Sequence, residues 1–190
     1  MVLAKMTVTH LARRPTACAT AVVAALLALS GCAGGRDYAV PKEICGVRMS
    51  EDVVEPLLPD GDEVEQERER RPFRDRHFVN CDVDVDGKGA LYVKVSESHH
   101  LPKLRRGKDN PEHNDDVEEI EDLPFSGWAT VSDDTVSAAA ECGGEAEALV
   151  FHFPFQTDNP EDLKERRAAG ARFIKEFVPG ERKKEGCTAR

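Results

Sequence analysis

With 36 Asp and Glu against 26 Lys and Arg in 190 residues, the chain carries a formal charge of −10. That balance excludes a nucleic-acid grip, which needs clustered cations against phosphate, and sets the chain against any anionic membrane surface. The length corresponds to about one domain.

Residues 1–16 hold Lys5, Arg13 and Arg14 and no acid, and residues 17–29 are uncharged and rich in Ala, Val and Leu. A positive start followed by a short apolar core is the pattern of a secretory signal peptide. A permanent transmembrane helix needs about 20 apolar residues, more than this run supplies. Small Ser30 and Gly31 leave room for processing enzymes around Cys32. Leu29-Ser30-Gly31-Cys32 resembles the bacterial lipobox at all four positions. The resemblance implies cleavage between Gly31 and Cys32, with Cys32 becoming a diacylglyceryl thioether and the new N-terminus. An ordinary signal peptide with Cys32 left free is the alternative, and the Arg13-Arg14 pair leaves the choice between Sec and twin-arginine export open. Removing residues 1–31 takes three cations and no acids, which leaves 159 residues at −13. Such a chain needs its acyl chains to stay on the extracytoplasmic face of the cell membrane, and its charge favours a monomer.

Cys45, Cys81, Cys142 and Cys187 remain besides Cys32. In an exported chain four cysteines suggest two disulfides, with three possible connectivities. Cys45–Cys81 with Cys142–Cys187 staples each half locally and is the favoured pairing. Each bridge closes a loop of roughly 40 residues, worth about 4 kcal/mol in the chain-entropy picture. A zinc site is the competing reading, but no pair has close zinc-ligand spacing.

In chain order, Ala33, Gly34 and Gly35 open a flexible tether over 32–44. The dozen residues before Cys45 reach about 40 Å at full extension, so the domain works close to the membrane. Ser50 is placed to cap a short helix over residues 51–58, and Pro59-Asp60-Gly61 stops it. From Asp62 to Arg71 nearly every residue is charged, which fits a solvated edge strand or loop; an interaction strip for a basic partner is the alternative.

Residues 77–85 and 90–95 are β-prone runs joined through Asp86-Gly87-Lys88-Gly89, a hairpin signal. Val79, Cys81, Val83 and Val85 share one face by the two-residue period, and Leu91, Val93 and Val95 supply the matching one. Asp82, Asp84, Asp86 and Gly87 are spaced like the opening of an EF-hand calcium loop. The twelfth position is Val93, where a bidentate Glu belongs, so the three aspartates read as the wet face of the hairpin, with no metal and no cofactor.

Residues 96–123 read as a long connection holding His99, His100 and His113, a basic patch over 103–108 and an acidic run over 115–122. The histidines read as exposed loop residues. Residues 128–131 and 135–140 predict two strands, with Trp128 a core or rim aromatic. Leu149, Phe151, Phe153 and Phe155 share one face of the strongest strand, and Pro154 predicts an edge position or a strand end. Asn159-Pro160-Glu161-Asp162 predicts a helix start capped by Asn159 with Pro160 first. Leu163, Gly170, Phe173, Ile174 and Phe177 form its apolar stripe, and Pro179-Gly180 ends it.

Val40-Pro41-Lys42-Glu43-Ile44-Cys45-Gly46, Leu57-Leu58-Pro59-Asp60-Gly61, the hairpin from Cys81 to Gly87 and the closing Gly186-Cys187 resemble a group of actinobacterial secreted lipoproteins without an assigned activity. The resemblance implies an envelope location and supplies no catalytic residue. The expected fold is α+β over 45–190: a mainly antiparallel sheet with one long C-terminal helix and a short N-terminal helix, stapled by disulfides. No Gly-x-Ser-x-Gly elbow, no His-Glu-x-x-His and no spare cysteine nucleophile is present. The expectation is a non-enzymatic binding or interaction module, held to the membrane through Cys32, with an envelope protein or small ligand as partner. A hydrolase without a recognisable motif and a purely structural envelope protein are the alternatives.

Overall fold

The computed structural model describes residues 35–103, 116–144 and 146–188. A small ribbon of β1 (Glu43–Ile44) and β2 (Val47–Arg48) leads into α1 (Glu51–Val54) and a 3-10 turn over Glu55–Leu57. The main sheet is built from β3 (Val64–Phe73), β4 (Arg76–Val85), β5 (Lys88–Ser98), β6 (Glu118–Glu119), β7 (Gly127–Val131), β8 (Thr135–Glu141) and β9 (Ala148–Pro154). Its seven strands run in the order β3-β4-β5-β9-β8-β7-β6, each antiparallel to its neighbours. The long helix α2 (Leu163–Lys184) follows. This is the expected α+β class.

The two-residue period explains the layering. Val79, Cys81, Val83 and Val85 of β4 and Leu91, Val93 and Val95 of β5 are buried on one face, continued by Leu149, Phe151 and Phe153 of β9 and Val136 and Ala138 of β8. Asn80, Asp82, Lys94 and Ser137 on the other face are half-buried, and His152 is exposed. Asp86 and Gly87 turn the β4–β5 hairpin with φ of 52° and 69°, the type I′ geometry that matches strand twist. Between Val83 and Asp84 the register shifts, leaving Ala90 as a bulge residue on β5. The proline in β9 sits at the strand end, one of its two expected places.

The apolar face is covered by α2 and by the N-terminal ribbon. Phe173, Ile174, Phe177 and Val178 of the helix meet the sheet, with ring centroids 4.7 Å apart for Phe153–Phe173 and 6.5 Å for Phe151–Phe177. Val53, Val54, Leu57 and Leu58 close the same core. Cys45–Cys81 joins the ribbon to β4, and Cys142–Cys187 joins the end of β8 to the chain just past α2, with S–S distances of 2.03 and 1.94 Å. These are the favoured pairings.

Five expectations need correction. The tether over 32–44 is docked from Arg36 onward: Arg36 donates to the carbonyls of Glu55 and Leu58 at 3.1 and 2.6 Å, and Tyr38 and Val40 pack on the core. Glu55 C=O already accepts the Leu58 N–H of the turn, whereas Leu58 C=O, just past the turn, takes its donors from side chains, Arg36 among them. Ser50 takes the cap position but not the cap bond; its hydroxyl donates to Glu176 Oε1 at 2.9 Å instead. The cap of α2 falls three residues later than expected, at Asp162, which accepts from Glu165 N–H at 2.9 Å. Asn159 is recruited elsewhere, donating to the carbonyls of Pro56 and Leu58 at 3.1 and 2.6 Å. The long connection is shorter than expected, because β5 runs to Ser98 and β6 with buried Ile120 re-enters the sheet.

Finally, Pro179-Gly180 does not end α2, which continues to Lys184. Gly180 is a packing residue: a Cβ there would lie 2.4 Å from Val47 Cγ1, as one at Gly170 would lie 2.7 Å from Phe155 and Val136. The true stop is Gly186, with φ of 73°, where Gly186 N–H bonds Lys183 C=O and Cys187 N–H bonds Arg182 C=O in a Schellman cap. Helix propensity alone predicts that Gly180→Ala stabilises the protein by about 1 kcal/mol. Close packing on Val47 predicts the opposite, a loss of about 1–3 kcal/mol in urea unfolding. We expect the loss.

Candidate functional site

Where the short edge strand β6 and the β7–β8 turn approach the first turns of α2, they leave an open cleft of about 790 Å³. Ile120, Val131, Leu163, Ala168 and Ala171 give it an apolar lining, and Leu163 is one of the few large apolar side chains left exposed, at 37%. Asp116, Glu118, Glu119, Asp133 and Asp162 supply carboxylates against the cations Lys164 and Arg167. Arg167 spans the cleft, donating to Glu118 Oε1 at 2.8 Å and to Asp133. It thereby ties α2 to both the edge strand and the turn. Chemically the lining offers apolar contact and a surplus of negative charge, which draws in positively charged groups.

A second concentration of charge lies at the other end of α2. Arg68 of β3 reaches Glu181 at 2.7 Å and Glu185 at 2.6 Å, while Arg70 bonds Glu185 and reaches Glu97 at 2.7 Å. Lys184 donates to Cys45 C=O at 2.6 Å, so the same turn of helix is fastened to the disulfide-bonded ribbon. Glu181 is only 1% exposed. Burial, the largest influence, pushes its carboxyl up to about 7 despite the attraction of Arg68, with repulsion from Glu185 adding to the rise. For Glu185 burial is again the largest single influence, yet the hydrogen bonds from Arg68 and Arg70 together hold its carboxyl below the ordinary range. This cluster is a fastening between helix and edge strand.

The residues singled out from the sequence fall in separate places. Cys32 and Gly31, with the whole expected processing site, lie outside the described residues, as do His113 and most of the basic patch. Asp82 and Asp84 stand on the open face of β4, where burial first and then repulsion from Asp84, Glu67 and Glu69 raise the Asp82 carboxyl. Asp86 turns away from them and accepts the N–H groups of Asp62 and Glu63, both at 3.0 Å. Its carboxylate thus holds the entry to β3, and the three aspartates do not converge. Among the described residues no group of three or more His, Cys, Asp and Glu has a metal-holding arrangement. His99 pairs with Asp75 at 2.9 Å, and Trp128 sits at the rim, donating from Nε1 to Pro102 C=O at 2.6 Å. The cleft carries no sequence signal, since its lining comes from three separate stretches, residues 116–120, 131–133 and 162–171, that share no motif.

No known protein family matches the chain, and searches of curated proteins and solved structures return no significant match.

The Glu181 site makes a pH prediction. Its carboxyl binds a proton more tightly folded, near 7, than unfolded, near 4.5, so the folded state takes up the proton and stability falls as pH rises between those values. Glu185 acts with the opposite sign and only in the acid range. Replacing Glu181 by Gln removes the first effect while keeping an acceptor for Arg68. The Tm of Glu181→Gln relative to the unaltered protein should therefore be higher at about pH 8 than at about pH 5. An equal difference at both would contradict the assignment.

Proposed function

We propose that the protein is a lipid-anchored lipoprotein of the extracytoplasmic membrane face whose domain serves as a binding module of the cell envelope. The observation that carries this reading is Leu29-Ser30-Gly31-Cys32 placed directly after a basic and apolar leader. Two disulfides support it, since such bonds persist in oxidising compartments. No helix among the described residues is long and apolar enough to cross a membrane.

The docked segment from Arg36 sharpens the geometry. With the chain docked at Arg36, four peptide steps separate Cys32 from the domain, a span of at most about 14 Å rather than about 40 Å. An anchored domain would therefore stand almost against the bilayer, on the end carrying Arg36, Leu58 and Gly61. The cleft supports a binding role: its volume lies within the roughly 300–1,000 Å³ typical of small-molecule sites, with an apolar lining and a few charged groups. Its net negative rim favours a cationic ligand or a basic segment of an envelope protein.

Intact mass measurement of the protein from solubilised membranes tests the anchor. The expected species begins at Cys32 and carries a diacylglyceryl group, and Cys32→Ser is expected to remain unprocessed or to be released from the membrane with its fold intact. A mature form with an unmodified Cys32, or a cleaved Cys32→Ser form that stays on the membrane, would overturn the reading.

A further inference from the structure

Arg167 shows which cation fits the cleft between β6, the β7–β8 turn and α2. Its one planar guanidinium reaches two carboxylates on separate elements, Nη1 donating to Glu118 Oε1 at 2.8 Å and Nη2 to Asp133. A compact ammonium has no such fork, so the pair selects a guanidinium over a lysine-type cation. Asp133 is preset for this contact. Ser132 Oγ accepts from the N–H groups of Asp134 and Thr135 at 3.3 and 3.2 Å, which fixes the turn that carries it.

The tie is open to exchange. The Glu118 side chain is 68% exposed and stands on a strand of two residues, so its ion pair is weakly held. Arg167 Nε is buried and finds no acceptor among the described residues, so the guanidinium in place is not fully satisfied. The lining carries five carboxylates against two cations, which leaves three negative charges in excess with Arg167 already counted. Leu163, Ile120, Val131, Ala168 and Ala171 add apolar surface, and one guanidinium and its stem fill only part of about 790 Å³.

We propose that Glu118 and Asp133 form a guanidinium-binding site that Arg167 occupies in cis and that an arginine side chain of a partner protein takes in its place. This deepens the binding role proposed above for the same cleft and rests on it. Exchange of one guanidinium for another is nearly balanced at the two carboxylates. The neighbours of the incoming arginine tip that balance, because they cover Leu163 and the apolar lining. The excess negative charge admits the second cation while Arg167 swings to water. A protein segment supplies such neighbours and free arginine does not, which favours the segment as occupant.

Because Arg167 competes for the pair, the apparent affinity of the wild type is the intrinsic affinity reduced by the fraction of molecules in which the pair is open. Removing Arg167 therefore strengthens binding. A tie with a structural role alone predicts no such gain.

Calorimetric titration of the full chain in detergent, with capped peptides carrying one arginine between aliphatic residues, tests the proposal. Cys32→Ser should give the same values, so failure here is distinct from failure of the anchor. The arginine peptide should bind saturably, and its lysine and citrulline counterparts and free arginine amide about tenfold more weakly. Arg167→Ala should bind the arginine peptide about tenfold more tightly, and Asp133→Asn and Glu118→Gln about tenfold more weakly. Arg167→Lys, whose ammonium lacks the fork, should fall between the wild type and Arg167→Ala. Equal binding of the arginine and lysine peptides would keep the cleft's binding role and overturn the guanidinium site. Free arginine amide binding as tightly as the peptide would overturn the protein segment as occupant. No binding of the arginine peptide, no gain in either Arg167 variant, or indifference to Asp133→Asn would overturn the proposal outright.

Discussion

A sheet with one apolar face and one wet face holds together only if something covers the apolar side, and here one helix does most of the covering. Phe151 and Phe153 of the central strand meet Phe173 and Phe177 of α2, and all four rings are essentially removed from water. Burying a side chain of this size is worth roughly 1.5–3 kcal/mol. The contact sits in the middle of the sheet order, where β9 joins the β3–β5 half to the β6–β8 half. Loosening α2 would expose both halves together.

The rest of the molecule keeps the helix in place. At its first turns Arg167 reaches Glu118 and Asp133, and the cleft forms beside this tie. At its last turns Glu181 and Glu185 meet Arg68 and Arg70, Lys184 meets Cys45 C=O, and Cys187 is bonded to Cys142. Two glycines, Gly170 and Gly180, let the helix backbone approach side chains of the sheet and the ribbon. Fastening Arg68 and Arg70 to α2 also shapes β3, since it neutralises two cations on the helix side, while Arg71 pairs with Glu69 on the other. The pieces form one mechanical chain from cleft to edge strand.

What the sequence could reveal followed from how local each signal is. The β4–β5 hairpin was legible because apolar alternation and Asp86-Gly87 agree, and β9 because Leu149, Phe151 and Phe153 repeat every second residue. The edge strand β3 was legible only as charged and exposed, since its alternation is of charges rather than of apolar groups. The ends of α2 were misread for a physical reason. Asn159 and Pro179-Gly180 carry strong local signals, but tertiary contacts claim them: Asn159 for the carbonyls of Pro56 and Leu58, Gly180 for Val47. The Schellman glycine at 186 and the basic last turn were the signals that marked the true stop. The cleft had no sequence signal, because it is assembled from strand, turn and helix residues that meet only in the fold.

Helix α2 is one continuous cover, kept helical past Pro179 by its contacts rather than by propensity. Amide-resolved native-state hydrogen exchange measures this directly. The amides of residues 181–184 should be protected on the same scale as those of Phe173 and Ile174. Protection that stops at Val178, with the following amides exchanging as in an open chain, would contradict it.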